Sequence, residues 1–579
     1  MLRLPLVAFA NLLLLVRLLL GLPWRLLARR HRPAWVRFRL TGAPAYREPR
    51  RRWAWLGGAR PEPATVTSLA AFRAALQGLA ADPRVRGVLL EVEALSVPLA
   101  RREALIRSLE DFRAAGKRVV AWAVAVDTDA YPVLCAADEV LLAPMGRVEL
   151  VGYAAEATVL GEALKRFGVQ AQFVRRGDYK TAPELFTHAA VSDIQRQTIE
   201  ALLDERYAVL VDAVARGRRR TPDEARALID AGPYSARRAL AAGLVDALVS
   251  EADLPARLGL PATEPGEDAA PLEPFAGYLE TRVFPPVRWL PVRRRPRLGL
   301  VPVSGVIVGG GAGRGRFAAS EAVVKSLRRA GRDPRVRAVL LHVSSPGGGA
   351  LPSEQILEAV RRVAVRKPVV AYMDSVCASG GYMAALGARE LWSAPYAVVG
   401  SIGVFIGKFE CSELLEWFGV RRTVITRGQN AGFASAARGF TPHERATLEA
   451  EVEESYQSFL ETVAEARGRT KEEIHARAEG RVYSGLRARD AGLVDRIGGF
   501  EEACRRALEL AGQGTQDFEL VQYGAAERRL SLVRLLSRVA RVGTYALCPL
   551  ALGLESWDEE EPEGALPSWL VQLWRATRP

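Results

Sequence analysis

Thiolate and imidazole ligands are scarce in this chain. Its five cysteines (Cys135, Cys377, Cys411, Cys504 and Cys548) lie far apart, form no C-x-x-C pair and total an odd number. That argues against a disulfide framework and against a thiolate zinc site. Five histidines offer neither H-E-x-x-H nor H-x-H spacing, so a histidine-built metal centre is not expected. Only one stretch is long and apolar enough to span a bilayer, which rules out a polytopic membrane protein. Acidic residues are nearly missing from one end: residues 1–60 hold thirteen arginines, no lysine and one acid, Glu48, giving +12 of the total +14. The remaining 519 residues sum to +2, so the basicity suits anionic lipid beside an apolar segment better than a DNA-binding face. Hydrophobic residues at 49% and charged residues at 25% are ordinary globular usage, which rules out wholesale disorder.

The apolar segment runs from Leu4 to Leu22, broken by Pro5, Asn11 and Arg17. As a helix it would be about 28 Å long, just enough for the hydrocarbon core. Arg17 can snorkel, Trp24 and Arg25 follow at interfacial positions, and no A-x-A cleavage site appears. An uncleaved anchor over residues 1–30 is expected, with an amphipathic helix lying in the interface as the alternative. Arg29, Arg30, Arg32, Arg37 and Arg39 flank the carboxyl side, and positive-inside logic would leave the body cytoplasmic.

The chain is internally duplicated. Asp82-Pro-Arg-Val-Arg86 recurs as Asp333-Pro-Arg-Val-Arg337, and Phe167-Gly-Val as Phe418-Gly-Val, both 251 residues later. Ala242-Gly-Leu-Val-Asp246 recurs as Ala491-Gly-Leu-Val-Asp495, now at an offset of 249. Matches in order at a nearly constant offset indicate two copies of one unit. A Pro/Glu/Ala-rich stretch, Pro261–Pro274, separates them. Within the second copy, Val339–Val343 and Pro368–Tyr372 read as buried strands flanking a helix over Ser353–Val365. Such alternation predicts a parallel α/β core with right-handed crossovers. Long helices are expected over Ala189–Ala215 and Glu444–Ala466, and a packing helix over Leu530–Leu552.

Divergence between the copies locates the chemistry. In the second copy the first strand ends in Ser344-Ser-Pro-Gly-Gly-Gly349, a glycine turn whose bare N–H groups suit an oxyanion or a phosphate. The first copy has Glu93-Ala-Leu-Ser-Val97 there, with no glycine. The next strand of the second copy leads through Asp374-Ser-Val-Cys-Ala-Ser-Gly-Gly-Tyr382 into a helix, so Ser379 stands at a helix start. A helix-start serine can be a plain N-cap; two glycine-rich strand ends in one copy favour a site. His342 sits inside a strand and reads as a packed core residue, so no Ser-His-Asp set is suggested. The other usable base is a lysine kept neutral by desolvation. Lysine is scarce beside arginine, and Lys180, in Arg176-Gly-Asp-Tyr-Lys-Thr-Ala-Pro-Glu-Leu-Phe186, maps by the 251 offset onto Ala431. One copy keeps a lysine, the other a serine.

These residues resemble the signal peptide peptidase SppA family in its long, duplicated form, over about residues 35–515. The motifs are S-P-G-G at Ser345–Gly348, A-S-G-G-Y at Ala378–Tyr382, G-S-I-G at Gly400–Gly403 and G-x-Y-K-[ST]-A at Gly177–Ala182. The resemblance implies an α/β fold of tandem duplicated ClpP/crotonase-like domains behind an N-terminal membrane anchor. Residues 31–274 would supply the lysine base, residues 275–515 the serine nucleophile, and 516–579 a tail that contacts the membrane in one reading. It implies Ser379 as nucleophile, Lys180 as general base and Ser401 as the residue orienting the lysine. The oxyanion hole would come from the N–H of Gly347 or Gly348 and of Gly380. A membrane-bound serine endopeptidase follows, degrading cleaved signal peptides and other hydrophobic peptides without metal or cofactor. The resemblance further implies membrane lipids as neighbours, a homo-oligomer (a tetramer), no nucleic acid, and a bacterial-type cytoplasmic (inner) membrane with the body in the periplasm. That side opposes the one implied by the arginine flank. The competing readings are a stomatin-partner-type membrane protease, a crotonase-like acyl-CoA enzyme and a non-catalytic membrane scaffold.

Overall fold

The computed structural model describes residues 34–46, 64–260, 295–310, 317–514 and 518–524, together with Leu12, Leu15 and Val16. The anchor expected over residues 1–30, the Pro261–Pro274 stretch and the Leu530–Leu552 run lie outside these residues, the three helical ones near the start excepted. Among the described residues no helix is long and apolar enough to cross a membrane.

In the first copy, β1 (Trp35–Gly42), β2 (Gly87–Leu95), β3 (Arg118–Asp127) and β4 (Glu139–Glu149) form a parallel sheet in that order. Helices α1 (Leu69–Ala80) and α2 (Leu99–Ala114) make the first two crossovers. Near-continuous apolar runs such as Gly87-Val-Leu-Leu are what a strand covered on both faces requires, and Val88, Leu89 and Leu90 are fully buried. Beyond β4 the chain forms β5 (Gln170–Arg176) and the long α3 (Asp193–Arg218), whose N-cap Ser192 accepts from Gln195 N.

The second copy repeats the plan. Strands β6 (Arg297–Ser304), β7 (Val336–Ser345) and β8 (Val369–Ala378) are parallel, with α4 (Ser320–Arg332) and α5 (Ala350–Ala364) as crossovers. The six-residue α6 (Gly380–Ala385) follows β8; then come β9 (Glu390–Ser393), β10 (Val398–Gly400), β11 (Val404–Glu410), α7 (Pro442–Arg467) and β12 (Val482–Ser484). Both expected strands and all three expected helices within the described residues are present. The sheet also takes in β13 (Glu519–Gln522), parallel to β6, so part of the expected tail is an edge strand.

The repeated Ala-Gly-Leu-Val-Asp has a structural purpose. Asp246 accepts Val140 N at 2.7 Å and pairs with Arg218 at the end of α3; Asp495 accepts Leu391 N at 2.7 Å and pairs with Arg467 at the end of α7. Each aspartate ties a strand start to its long helix. The copies are joined by a seam: β5 of the first runs antiparallel to β11 of the second, with Arg176 opposite Val404 and Gln170 opposite Glu410. This seam brings the turn after β5 to the carboxyl ends of β8 and β10, where α/β sheets place their ligands.

Candidate active site

Ser379 stands between the end of β8 and the start of α6 with φ 53° and ψ −122°. L-residues seldom adopt this conformation, which costs of order 1–3 kcal/mol and persists only where the surroundings enforce it. Here the Ser379 N–H donates to Gly400 O at 2.8 Å, tying the bend to the end of β10. The hydroxyl makes no capping bond to α6. It accepts instead from Lys180 Nζ at 2.9 Å, so the capping role open to a helix-start serine is not the one it fills.

Lys180 lies on the turn after β5, where its N–H donates to Gly177 O at 3.1 Å. Its side chain crosses the seam into the second copy. Besides Ser379, Nζ donates to Ser401 O at 2.9 Å and to Ser401 Oγ at 3.0 Å. The residue is 5% exposed. Burial alone pushes its pKa down from 10.5 to about 7, because desolvation penalises the ammonium form. Ser401, just past β10, also has a positive φ, 51°, and its N–H donates to Arg481 O at 2.7 Å. The geometry thus gathers Ser379, Lys180 and Ser401 although 199 and 221 residues separate the lysine from its partners.

The glycine turn backs onto this cluster. A Cβ on Gly347 would come within 2.8 Å of Ser379 Cβ and 3.0 Å of Gly380 N. The Gly347 N–H is engaged with Ser345 Oγ at 3.2 Å. On either side of Gly348, Ile307 N donates to Gly347 O and Gly349 N donates to Ile307 O. In such a parallel bridge the middle residue's N–H points the opposite way, away from Ile307, and a Cβ on Gly380 would come within 3.3 Å of Gly348 N. Of the two glycines named from the sequence, Gly348 is therefore the one with a donor to offer beside Gly380.

The segment Glu479–Arg481 escaped the sequence reading. It wedges between the lysine turn and Ser401: Glu479 O accepts Tyr179 N at 2.8 Å, Gly480 N donates to Ile402 O at 2.7 Å, and the Arg481 guanidinium lies over the Tyr179 ring. Gly480 has φ 81°, and a Cβ there would come within 2.7 Å of Lys180 Cα and 2.8 Å of Lys180 Cβ. Gly480→Ala is therefore expected to displace the lysine and, with Lys180 in the role the resemblance implies, to lower hydrolysis about 100-fold or more, as an error near 1 Å in positioning does. Steady-state kinetics on a folded variant, verified by circular dichroism, would check this.

The first copy shows what this site becomes without its chemistry. Thr128 occupies the position 251 residues before Ser379, and its Oγ1 bonds Glu149 O and Val151 N. Asp129 replaces the glycine equivalent to Gly380. The 1%-exposed Arg102, equivalent to Ser353, reaches it at 2.7 Å. An ion pair fills the place that Gly380 and Ser353 hold in the second copy. His342 is 12% exposed at its side chain, 3.4 Å from Asp374 and stacked on Tyr372, the packed strand residue its pattern suggested.

A family model described as Peptidase family S49 matches residues 111–261 and 361–514. The chain is 27% identical over 440 residues to "Serine protease SPPA, chloroplastic" of Arabidopsis thaliana, covering 74% of this chain and 64% of that protein. It is 30% identical over 418 residues to "Protease 4" of Salmonella typhi, covering 70% and 66%, and 28% identical over 496 residues to "Protease 4" of Haemophilus influenzae, covering 83% and 79%. The matches thus span about two thirds of the length of the first two relatives. Among solved structures, a ClpP1 mutant from Listeria monocytogenes aligns at TM-score 0.24 and 16% identity over 35% of this chain, too loose a likeness to bear on the fold.

Proposed function

Because this chain belongs to peptidase family S49, we propose that it is a serine endopeptidase in which Ser379 is the nucleophile and Lys180 its general base. One observation carries the reading: Nζ of a lysine removed from water stands 2.9 Å from the hydroxyl of a serine held in a strained bend. Neutral Lys180 takes the Ser379 proton as Oγ attacks a peptide carbonyl. The N–H groups of Gly348 and Gly380 receive the developing oxyanion, a type of donor worth about 10²–10³ in kcat when removed. Lys180, now protonated, donates to the leaving amine; water then attacks the acyl-enzyme with the lysine again as base. Ser401 holds Nζ through two acceptors and sets its direction.

The finer reading is a membrane-bound enzyme of ClpP/crotonase-type domains that degrades cleaved signal peptides and other hydrophobic peptides. Support for the anchor is the Leu4–Leu22 run beside +12 of charge, which suits a bacterial inner membrane rich in anionic lipid. Repeat geometry supports a homo-oligomer. Positions 421–427 and 153–159 are the equivalents, at the 251 offset, of the two seam strands, yet neither lies in a strand. Val424 and Ile425 there are 37% and 82% exposed. A second copy set head to tail could repeat the seam between chains, and heterologous contacts of that kind close into rings such as the tetramer.

The test is covalent labelling. A fluorophosphonate incubated with the full chain in detergent should leave one adduct, on Ser379, as located by peptide mass spectrometry. A rate of labelling that is unchanged in Lys180→Met, or an adduct on another serine, would sink the dyad.

A further inference from the structure

The base sits on a turn with little regular structure, yet proton transfer demands that Nζ be held to within a fraction of an ångström. An ion pair grips this turn from behind. Arg175, the last residue but one of β5, lies opposite Phe405 in the seam. Its Nη1 donates both to Lys180 O at 3.2 Å and to Glu184 Oε1 at 2.7 Å. Glu184 is 1% exposed, and its other oxygen accepts from Ser192 Oγ, the cap of α3, at 2.6 Å. Its N–H returns to Thr181 O at 2.9 Å, closing the turn on itself.

The second copy serves as an internal control. At the 251 offset Lys180 becomes Ala431, Arg175 becomes Thr426 and Glu184 becomes Ser435, while Arg176 and Gly177 persist as Arg427 and Gly428. Both glycines keep a positive φ, 102° and 95°. The backbone bend survives in the copy without a lysine; the ion pair does not.

We propose that Arg175 and Glu184 are a positioning pair for Lys180: Arg175 grips the lysine's main-chain carbonyl, and Glu184, anchored to the cap of α3, holds Arg175 in place. This rests on the reading of Lys180 as the base. The remaining charges around the turn are paired off or exposed. Arg176 meets Glu453 at 2.8 Å, Glu479 lies between Arg481 at 3.8 Å and His475 at 3.7 Å, and Asp178 is exposed.

The experiment is steady-state kinetics with the full chain in detergent on a short soluble peptide, with kcat and KM read separately and active sites titrated with a fluorophosphonate. Arg175→Gln releases the carbonyl, so kcat per titrated site should fall about 100-fold with KM within about twofold, as an error near 1 Å in positioning does. Glu184→Gln frees Arg175 from its anchor and should lower kcat in the same way, and the double variant should lose no more than Arg175→Gln alone, because both act on one carbonyl. Arg175→Lys, which can still donate to that carbonyl, should recover part of kcat. A merely structural pair would lower the number of titratable sites and leave kcat per site unchanged. Unchanged kcat per site, or a loss carried by KM, overturns the proposal. Should Arg175→Gln not fold, Glu184→Gln and Arg175→Lys decide it by the same criterion. Lys180→Ala separates the two levels: if that variant is active, the base assignment itself fails. If it is inert while the pair's variants keep wild-type kcat per site, only the positioning pair fails.

Discussion

Ser379→Ala should lower kcat/KM on a peptide substrate by about 10⁶-fold, the loss seen when a nucleophile is removed from a catalytic unit that acts as a whole. The fold should survive. Alanine keeps the Cβ that the bend already accommodates, the Ser379 N–H bond to Gly400 O is a main-chain bond, and Lys180 retains both acceptors on Ser401. The loss in stability should stay near 1 kcal/mol, the worth of one hydrogen bond. Ser379→Gly sharpens the point. Glycine removes the strain of φ 53° and ψ −122°, so this variant should be equally inactive yet more stable than Ser379→Ala by about 1 kcal/mol, after its greater unfolded-state entropy is subtracted. Kinetics and chemical denaturation on the pair would check both halves. Activity above about 1% of wild type in a folded, purified Ser379→Ala would remove this serine from its role.

Lys180→Met should cost about 10²–10⁴ in rate, the typical share of a positioned general base. Its effect on stability should have the opposite sign. The lysine titrates near 7 when folded and near 10.5 when unfolded, so between these values the unfolded chain binds more protons and stability rises with pH. Below about 7 both states are protonated and the full penalty applies, several kcal/mol at about 1.36 per unit. Methionine carries no such penalty. The variant should therefore be more stable than the parent at pH 7, less what the unpaired Ser401 oxygens lose, and this advantage should shrink toward pH 10. Lys180→Arg should be inactive and destabilised, since a guanidinium stays charged in a site only 5% exposed. In the wild type, activity should climb through pH 7 as Lys180 gives up its proton. Denaturation of the parent and the methionine variant at pH 7 and 10, beside a pH–rate profile, would check these signs; equal stabilities at both pH values would contradict the buried neutral lysine.

Much of this site was legible because the chain carries its own comparison. Ser379 and Lys180 stand out as side-chain chemistry present in one copy and missing from the other, Ser401 was reached only through the resemblance of its G-S-I-G motif, and the strands around them announce themselves as apolar runs. What escaped was work done by the main chain or by tertiary contact. The Gly480 wedge acts through its lack of a side chain against a residue 300 positions away. Choosing Gly348 over Gly347 depends on which way an N–H points, which spacing cannot tell. The filling of the first copy's relic by Arg102 and Asp129 required knowing that α2 stands over the end of β3. The edge strand Glu519–Gln522 is four residues long, too short to show a period, and it exists because β6 offers an open edge.

The seam between the copies also sets an order of events at the ribosome. Lys180 is synthesised early, but its acceptors on residues 379 and 401, the strand Val404–Glu410 that seats its turn and the wedge at Glu479–Arg481 all come later. At about 5–20 residues per second, some 300 further residues keep the nascent chain inert for roughly 15–60 s after the lysine emerges. A prematurely terminated fragment that ends within the first copy lacks the proposed nucleophile, and one that ends just past Ser379 lacks the strand that seats Lys180. On the proposed roles, hydrolytic competence arrives only when translation of both halves is nearly complete, a delay set by the order of the two copies along the chain.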